Sequence, residues 1–220
     1  MIATEGRKPK IAMVSFHPAL RFFAKVISYL FHPLFIPIYM GWFLIYYIGL
    51  FPDQDPLHKA RILIQIIVSY TFLPIVAVLL MKALGFVNTI HLKTSKDRII
   101  PFIVCEICFF WAWYVFRNLL YPKEMILFGL GVFLTSCIGL IVNGFKKASL
   151  HAMSMGVVCA FMIIASFMSD QNFGFYISTA FLIAGIVCTS RLILNDHTPS
   201  EVYTGFFIGV AGELIAWCFI

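Results

Sequence analysis

Residues 125–143, Met125-Ile-Leu-Phe-Gly-Leu-Gly-Val-Phe-Leu-Thr-Ser-Cys-Ile-Gly-Leu-Ile-Val-Asn143, run for nineteen positions without a charged side chain. At 1.5 Å of rise per residue such a helix measures about 28 Å, close to the roughly 30 Å hydrocarbon core of a bilayer. Working outward, comparable apolar runs fall at about 33–51, 62–81, 99–116, 152–169, 173–190 and 202–220. Across all 220 residues, 61% are hydrophobic and 12% charged, with a mean hydropathy of +0.95, which excludes an ordinary soluble domain. The runs lack the two-residue alternation of barrel strands, and only helices or closed barrels satisfy backbone polar groups in lipid. The expected fold is therefore all-α, a polytopic membrane bundle of six to seven transmembrane helices.

The amino-terminal part reads differently. Over residues 16–31, Arg21, Lys25 and Ser28 fall on one helical face and Leu20, Phe23, Ile27 and Leu30 on another, as in an interfacial amphipathic helix. The basic start lacks a clean apolar core and a small-residue cleavage site, which argues against a signal peptide. His17-Pro18 and His32-Pro33 bracket the segment, and Pro37 follows, so the run at 33–51 is the weakest crossing. The chain divides into a basic segment with its interfacial helix, 1–32, and a transmembrane bundle, 33–220. The six cysteines, at 105, 108, 137, 159, 188 and 218, all lie in apolar runs, so they read as small buried hydrophobes. A net charge of +6 without a long basic run suits anionic lipid headgroups and leaves nucleic acid out of the expected partners.

Polar loops at 82–98, 144–151 and 190–201 are separated by two crossings each, so they emerge on one side of the membrane. That parity gathers Lys93, Lys96, Arg98, Lys146, Lys147, Ser149, His151, Ser190, Arg191, His197 and Glu201. Guanidinium groups present a planar fork of donors matched to phosphate, and lysines add point charge. Glu201 stands one helical turn after His197, where it can hold the imidazole in one tautomer. An imidazole so held can attack phosphorus, and His151 at the start of the fifth apolar run, 152–169, can give a proton to a leaving oxygen.

Ser190-Arg191, five residues, His197, three residues, Glu201 resembles the third signature of the type 2 phosphatidic acid phosphatase superfamily, whose signature usually ends in Asp. Ala148-Ser149-Leu150-His151 resembles its second signature, Pro-Ser-Gly-His, with the Ser and His kept. The first signature is echoed by Arg98 with Pro101, and His91 stands where its Lys would fall. The resemblance implies that His197 is the nucleophile of a phosphohistidine intermediate, Glu201 its orienting partner and His151 the general acid. It further implies Arg98, Arg191, Lys93, Lys96, Ser149 and Ser190 around the phosphate, with no cofactor and no metal. The implied substrates are phospholipid or isoprenoid phosphates drawn from the bilayer, undecaprenyl pyrophosphate among them, and the implied site is an extracytoplasmic one at a bacterial inner membrane.

Other readings compete. Basic residues on the loop face number twelve (7, 8, 10, 21, 25, 82, 93, 96, 98, 146, 147 and 191) against four (59, 61, 117 and 123), which by the positive-inside rule puts that face in the cytoplasm. Thr198-Pro199-Ser200-Glu201 is also a capping box, Lys146 and Lys147 read as snorkelling anchors, and the cluster could serve a non-catalytic lipid-headgroup binder or transporter. No His-x3-His or His-Glu-x2-His spacing supports a metallohydrolase. Glu106 and Glu213 sit inside apolar runs and should face the bundle interior, one of them bordering the headgroup pocket. Gly205, Gly209 and Gly212 form a small-residue stripe for internal packing, and the same stripe would serve a homodimer.

Overall fold

A computed structural model of the chain describes residues 16–85 and 95–220. Among them the architecture is all-helical, in the order α1 Pro18–Leu30, α2 Ile36–Tyr47, α3 Pro56–Ala83, α4 Ser95–Asn118, α5 Lys123–Asn143, α6 Leu150–Met168, α7 Gly174–Ile193 and α8 Pro199–Trp217. Among the described residues five helices, α3 to α7, are long and apolar enough to cross a membrane, with Ile99–Asn118 the apolar part of α4; the expected crossing at 202–220 forms α8, which is not among the five. The expected crossing at 33–51 forms a helix only over Ile36–Tyr47, about 18 Å long, so it falls short of a full span. Proline explains the late start: Pro33 and Pro37 hold the chain in turns until Pro37 can sit in the first helical turn. Its last turn, Phe43–Tyr47, widens to π geometry before Gly49 leaves at φ +76°.

Proline shapes α3 as well. Pro74 lacks the N–H that would reach back one turn, and the helix relaxes into a π turn over Val68–Phe72 just ahead of it. That turn frees the buried Thr71 hydroxyl to donate to Leu34 O at 2.6 Å, tying the middle of α3 to the loop between α1 and α2. The loop carries His32, so this bond sets the height of an imidazole that becomes important below.

The centre of the bundle is α5, α6 and α8. Buried Leu127, Phe128, Met155, Phe161 and Ile164 fill it, with Ile62, Ile66 and Tyr70 of α3 closing one side. Helix α8 approaches α6 closely through its glycines. A Cβ on Gly205 would fall 2.5 Å from Ser149 O, and one on Gly209 would overlap the Met153 carbonyl. The small-residue stripe is thus spent on packing inside the chain, bringing the start of α8 against the start of α6.

Helix α1 lies along α7. Ala24 and Ser28 are buried and Ile27 half-buried, while Phe22, Phe23, Val26, Tyr29 and Leu30 stay exposed. The face expected to be polar therefore splits: Arg21 and Lys25 are exposed, but Ser28 turns inward. Its small side chain fits where the helix meets the bundle.

The histidine and guanidinium site at one end of the bundle

Helix α7 ends in a Schellman motif: Asn195 adopts φ +57°, its N–H reaches Leu192 O at 3.0 Å, and the Asp196 N–H reaches Arg191 O at 3.3 Å. This turn folds Asp196 back onto Arg191, whose guanidinium it meets at 2.6 Å. The next residues start α8. Thr198 Oγ1 accepts from the Glu201 N–H at 3.3 Å, and Glu201 Oε2 accepts from the Thr198 N–H at 3.2 Å, a complete capping box. The same Oε2 pairs with His197 Nδ1 at 2.9 Å. Capping and imidazole orientation are thus one arrangement, with one carboxylate oxygen serving both. The His197 ring is buried, and its other nitrogen, Nε2, points away from Glu201.

Burial pushes the His197 imidazole down to about 4; the Glu201 hydrogen bond pulls the other way, and Lys147 and Arg191 add to the lowering. At neutral pH the ring is uncharged. Its Nδ1 then carries the proton that Glu201 accepts, and Nε2 keeps a free-standing lone pair, the form a nucleophile needs.

The loop before α6 is stitched to this turn. Lys146 Nζ donates to Ser200 Oγ at 2.6 Å and to Thr204 Oγ1 at 3.0 Å, and Lys147 Nζ donates to Asp196 O at 3.3 Å. The two lysines therefore tie the α5–α6 loop to the start of α8 and to the turn before it. The Ser149 N–H donates to Glu201 O at 3.1 Å, and the wholly buried Ser149 hydroxyl accepts from the Ala152 N–H at 3.4 Å as the cap of α6. Both the N–H and the hydroxyl of Ser149, expected around the phosphate, are thus engaged in these two bonds. Ser190 is likewise turned into its own helix, donating to Ile186 O at 2.8 Å.

His151 sits in the first turn of α6, within electrostatic reach of Arg191, His32 and His197. Its Nε2 lies 3.0 Å from Ser28 O, and its ring meets His32 edge-on with centroids 5.3 Å apart. His32 is the residue that the spacing of motifs did not pick out. It stands in the α1–α2 loop, 119 positions before His151, and the packing of α1 on α7 together with the Thr71–Leu34 bond brings it here. Burial lowers the His32 imidazole, and the Arg191 charge lowers it further. The Arg191 charge thus acts on three imidazoles, those of His32, His151 and His197. The Arg191 Nε–H is buried without a partner, so the group retains a donor beyond its pair with Asp196.

Lys93 lies outside the described residues. Lys96 and Arg98 belong to the first turns of α4, whose next residues Pro101 and Phe102 line a cavity of about 340 Å³ together with His32, Leu150 and Ser154. The backbone of α4 thus begins at the same end of the bundle as the histidines. The cavity walls are almost entirely apolar, running from His32 past Pro37 and Pro74 to Phe128 and Val157. Of the two interior carboxylates, Glu213 is wholly buried with neither oxygen hydrogen-bonded, and Glu106 Oε1 is buried in the same condition. Glu213 stands twelve residues beyond Glu201, about 18 Å along α8, so it does not border the histidine site. Among the described residues, no three His, Cys, Asp or Glu side chains gather as a metal-holding group. Compared with protein-family models, curated proteins and solved structures, the chain matches none.

Proposed function

We propose that this chain is a membrane-embedded phosphatase of lipid phosphates or polyprenyl pyrophosphates, working through a phosphohistidine on His197. The observation that carries the reading is the buried, neutral His197 ring, oriented by Glu201 at 2.9 Å and set within electrostatic reach of Arg191 and His151. A His–carboxylate pair could be a cap and nothing more, but capping alone does not require two further imidazoles and a guanidinium with an unspent donor.

The chemistry runs in two displacements. His197 Nε2 attacks phosphorus in line while its Nδ1 proton stays on the Glu201 hydrogen bond, so the positive charge that grows on the ring meets a carboxylate. The bond from phosphorus to the leaving oxygen breaks with its electron pair, and that oxygen takes a proton from His151. Arg191, with Arg98 and either Lys93 or Lys96, balances the charge of the transferring group. Water then attacks the phosphohistidine, and His197 is restored.

An apolar cavity of about 340 Å³ abutting His32 supports a substrate with a hydrocarbon chain, because a soluble phosphate ester would gain nothing from such walls. Following the resemblance of the signatures, we place the protein in a bacterial cytoplasmic membrane with this site on the extracytoplasmic face. The test is phosphate release by purified protein from short-chain phosphatidic acid and from polyprenyl pyrophosphate. Release that disappears in His197→Ala supports hydrolysis; headgroup binding or transport without release refutes it in favour of a non-catalytic binder.

A further inference from the structure

Helix α1 reaches the histidine site through its backbone. A backbone carbonyl can only accept, so the 3.0 Å approach of His151 Nε2 to Ser28 O requires the proton on Nε2. The neutral ring is then bare at Nδ1. Ser28 is buried where α1 meets the bundle, and Ala24, one turn earlier, is 2% exposed, so the carbonyl is held by packing rather than left to wander. The ring's second constraint is His32, edge-on at 5.3 Å. His32 is fixed in turn: its Nδ1 accepts from the Leu34 N–H at 3.4 Å, and Leu34 O accepts from the Thr71 hydroxyl of α3.

We propose that α1 is a working part of the phosphate site: the Ser28 carbonyl fixes the tautomer of His151, His32 braces its ring, and Nδ1 is thereby the atom that transfers the proton. This deepens the phosphatase reading and rests on it for the identity of the proton acceptor. In the first displacement the bare Nδ1 takes the acidic proton of the bound phosphate monoanion and passes it to the leaving oxygen as the oxygen–phosphorus bond breaks, while the Nε2 proton remains on Ser28 O. In the second, the bare Nδ1 takes a proton from the attacking water. Without the carbonyl, the proton would divide between the nitrogens, and part of the population would present the wrong atom.

His32 and Ser28 are positioning groups, so the test reads the tautomer itself. Full-length protein with ring-labelled ¹⁵N histidine, its His151 signals assigned by their loss in His151→Gln, should show Nε2 protonated and Nδ1 pyridine-like at neutral pH. The reverse tautomer, or an even mixture, overturns the proposal. Ala24→Phe, which forces α1 off α7, should mix the tautomers and lower kcat about tenfold with little change in KM. His32→Ala should do the same, and His32→Phe, which keeps an edge-on ring, should recover most of the loss. Mixed tautomers with unchanged kcat would overturn the proposal too. Because the spectrum does not depend on turnover, a correct tautomer in a protein that releases no phosphate would sink the phosphatase reading while leaving the clamp in place.

Discussion

Replacing Glu201 by Gln separates the two tasks of one oxygen. Glu201 Oε2 accepts from His197 Nδ1 at 2.9 Å and from the Thr198 N–H at 3.2 Å. Glutamine keeps an acceptor oxygen in the same place, so the cap survives, but the negative charge facing the imidazole is lost. A hydrogen bond to a charged group is worth about 1.5–3 kcal/mol and a neutral one about 0.5–1.5 kcal/mol. That difference, about 1–1.5 kcal/mol, is felt as His197 gains positive charge during attack, so kcat should fall by at least roughly 5- to 13-fold. Glu201→Ala removes the cap as well and should cost about 1 kcal/mol of stability, a fall in Tm of about 2–4 °C, on top of the rate loss. The assay is steady-state phosphate release beside a thermal melt, both in the same detergent. If Glu201→Gln leaves kcat untouched while lowering Tm as much as Glu201→Ala, the carboxylate is a cap alone and the reasoning fails.

Further outcomes follow from the same geometry. Arg191→Ala should reduce turnover by 10²-fold or more with the fold intact, since the guanidinium balances charge in the transferring group; an unchanged rate in a phosphate-release assay removes it from the site. The acid limb of kcat/KM should lie near pH 4 instead of near the ordinary histidine value, because burial holds His197 neutral, and Lys147→Met should move that limb upward. For stability the sign is fixed by the same lowering: the contribution of neutral His197 is present above about pH 6.5 and is lost as pH falls through about 4, which a pH series of melts reads directly. Gly209→Val should cost several kcal/mol or prevent folding, because its Cβ would overlap the Met153 carbonyl; a wild-type melt would contradict the close packing of α8 on α6.

Much of the bundle was readable because lipid imposes one simple rule, long apolar helices, and five of the expected runs obey it. The run at 33–51 failed because hydropathy ignores proline and the π turn that shorten its helix to Ile36–Tyr47. The pairing of His197 with Glu201 was legible since both lie within one helical turn. The partners of His151 were not: Ser28 is 123 positions away and acts through its backbone, and His32 had no motif around it. The partners of Lys146 were hidden for the same kind of reason, because its acceptors Ser200 and Thr204 lie more than fifty positions away. Periodicity reports which face of a helix is apolar, not which distant loop will cover it.

The central claim is that His197 Nε2 forms a bond to phosphorus. Rapid quench of the purified protein with ³²P-labelled lipid phosphate should trap an acid-labile, base-stable label on the chain, mapped to His197 and absent in His197→Ala. Phosphate release at the full rate with no such label on His197, or labelling that persists in His197→Ala, would contradict it.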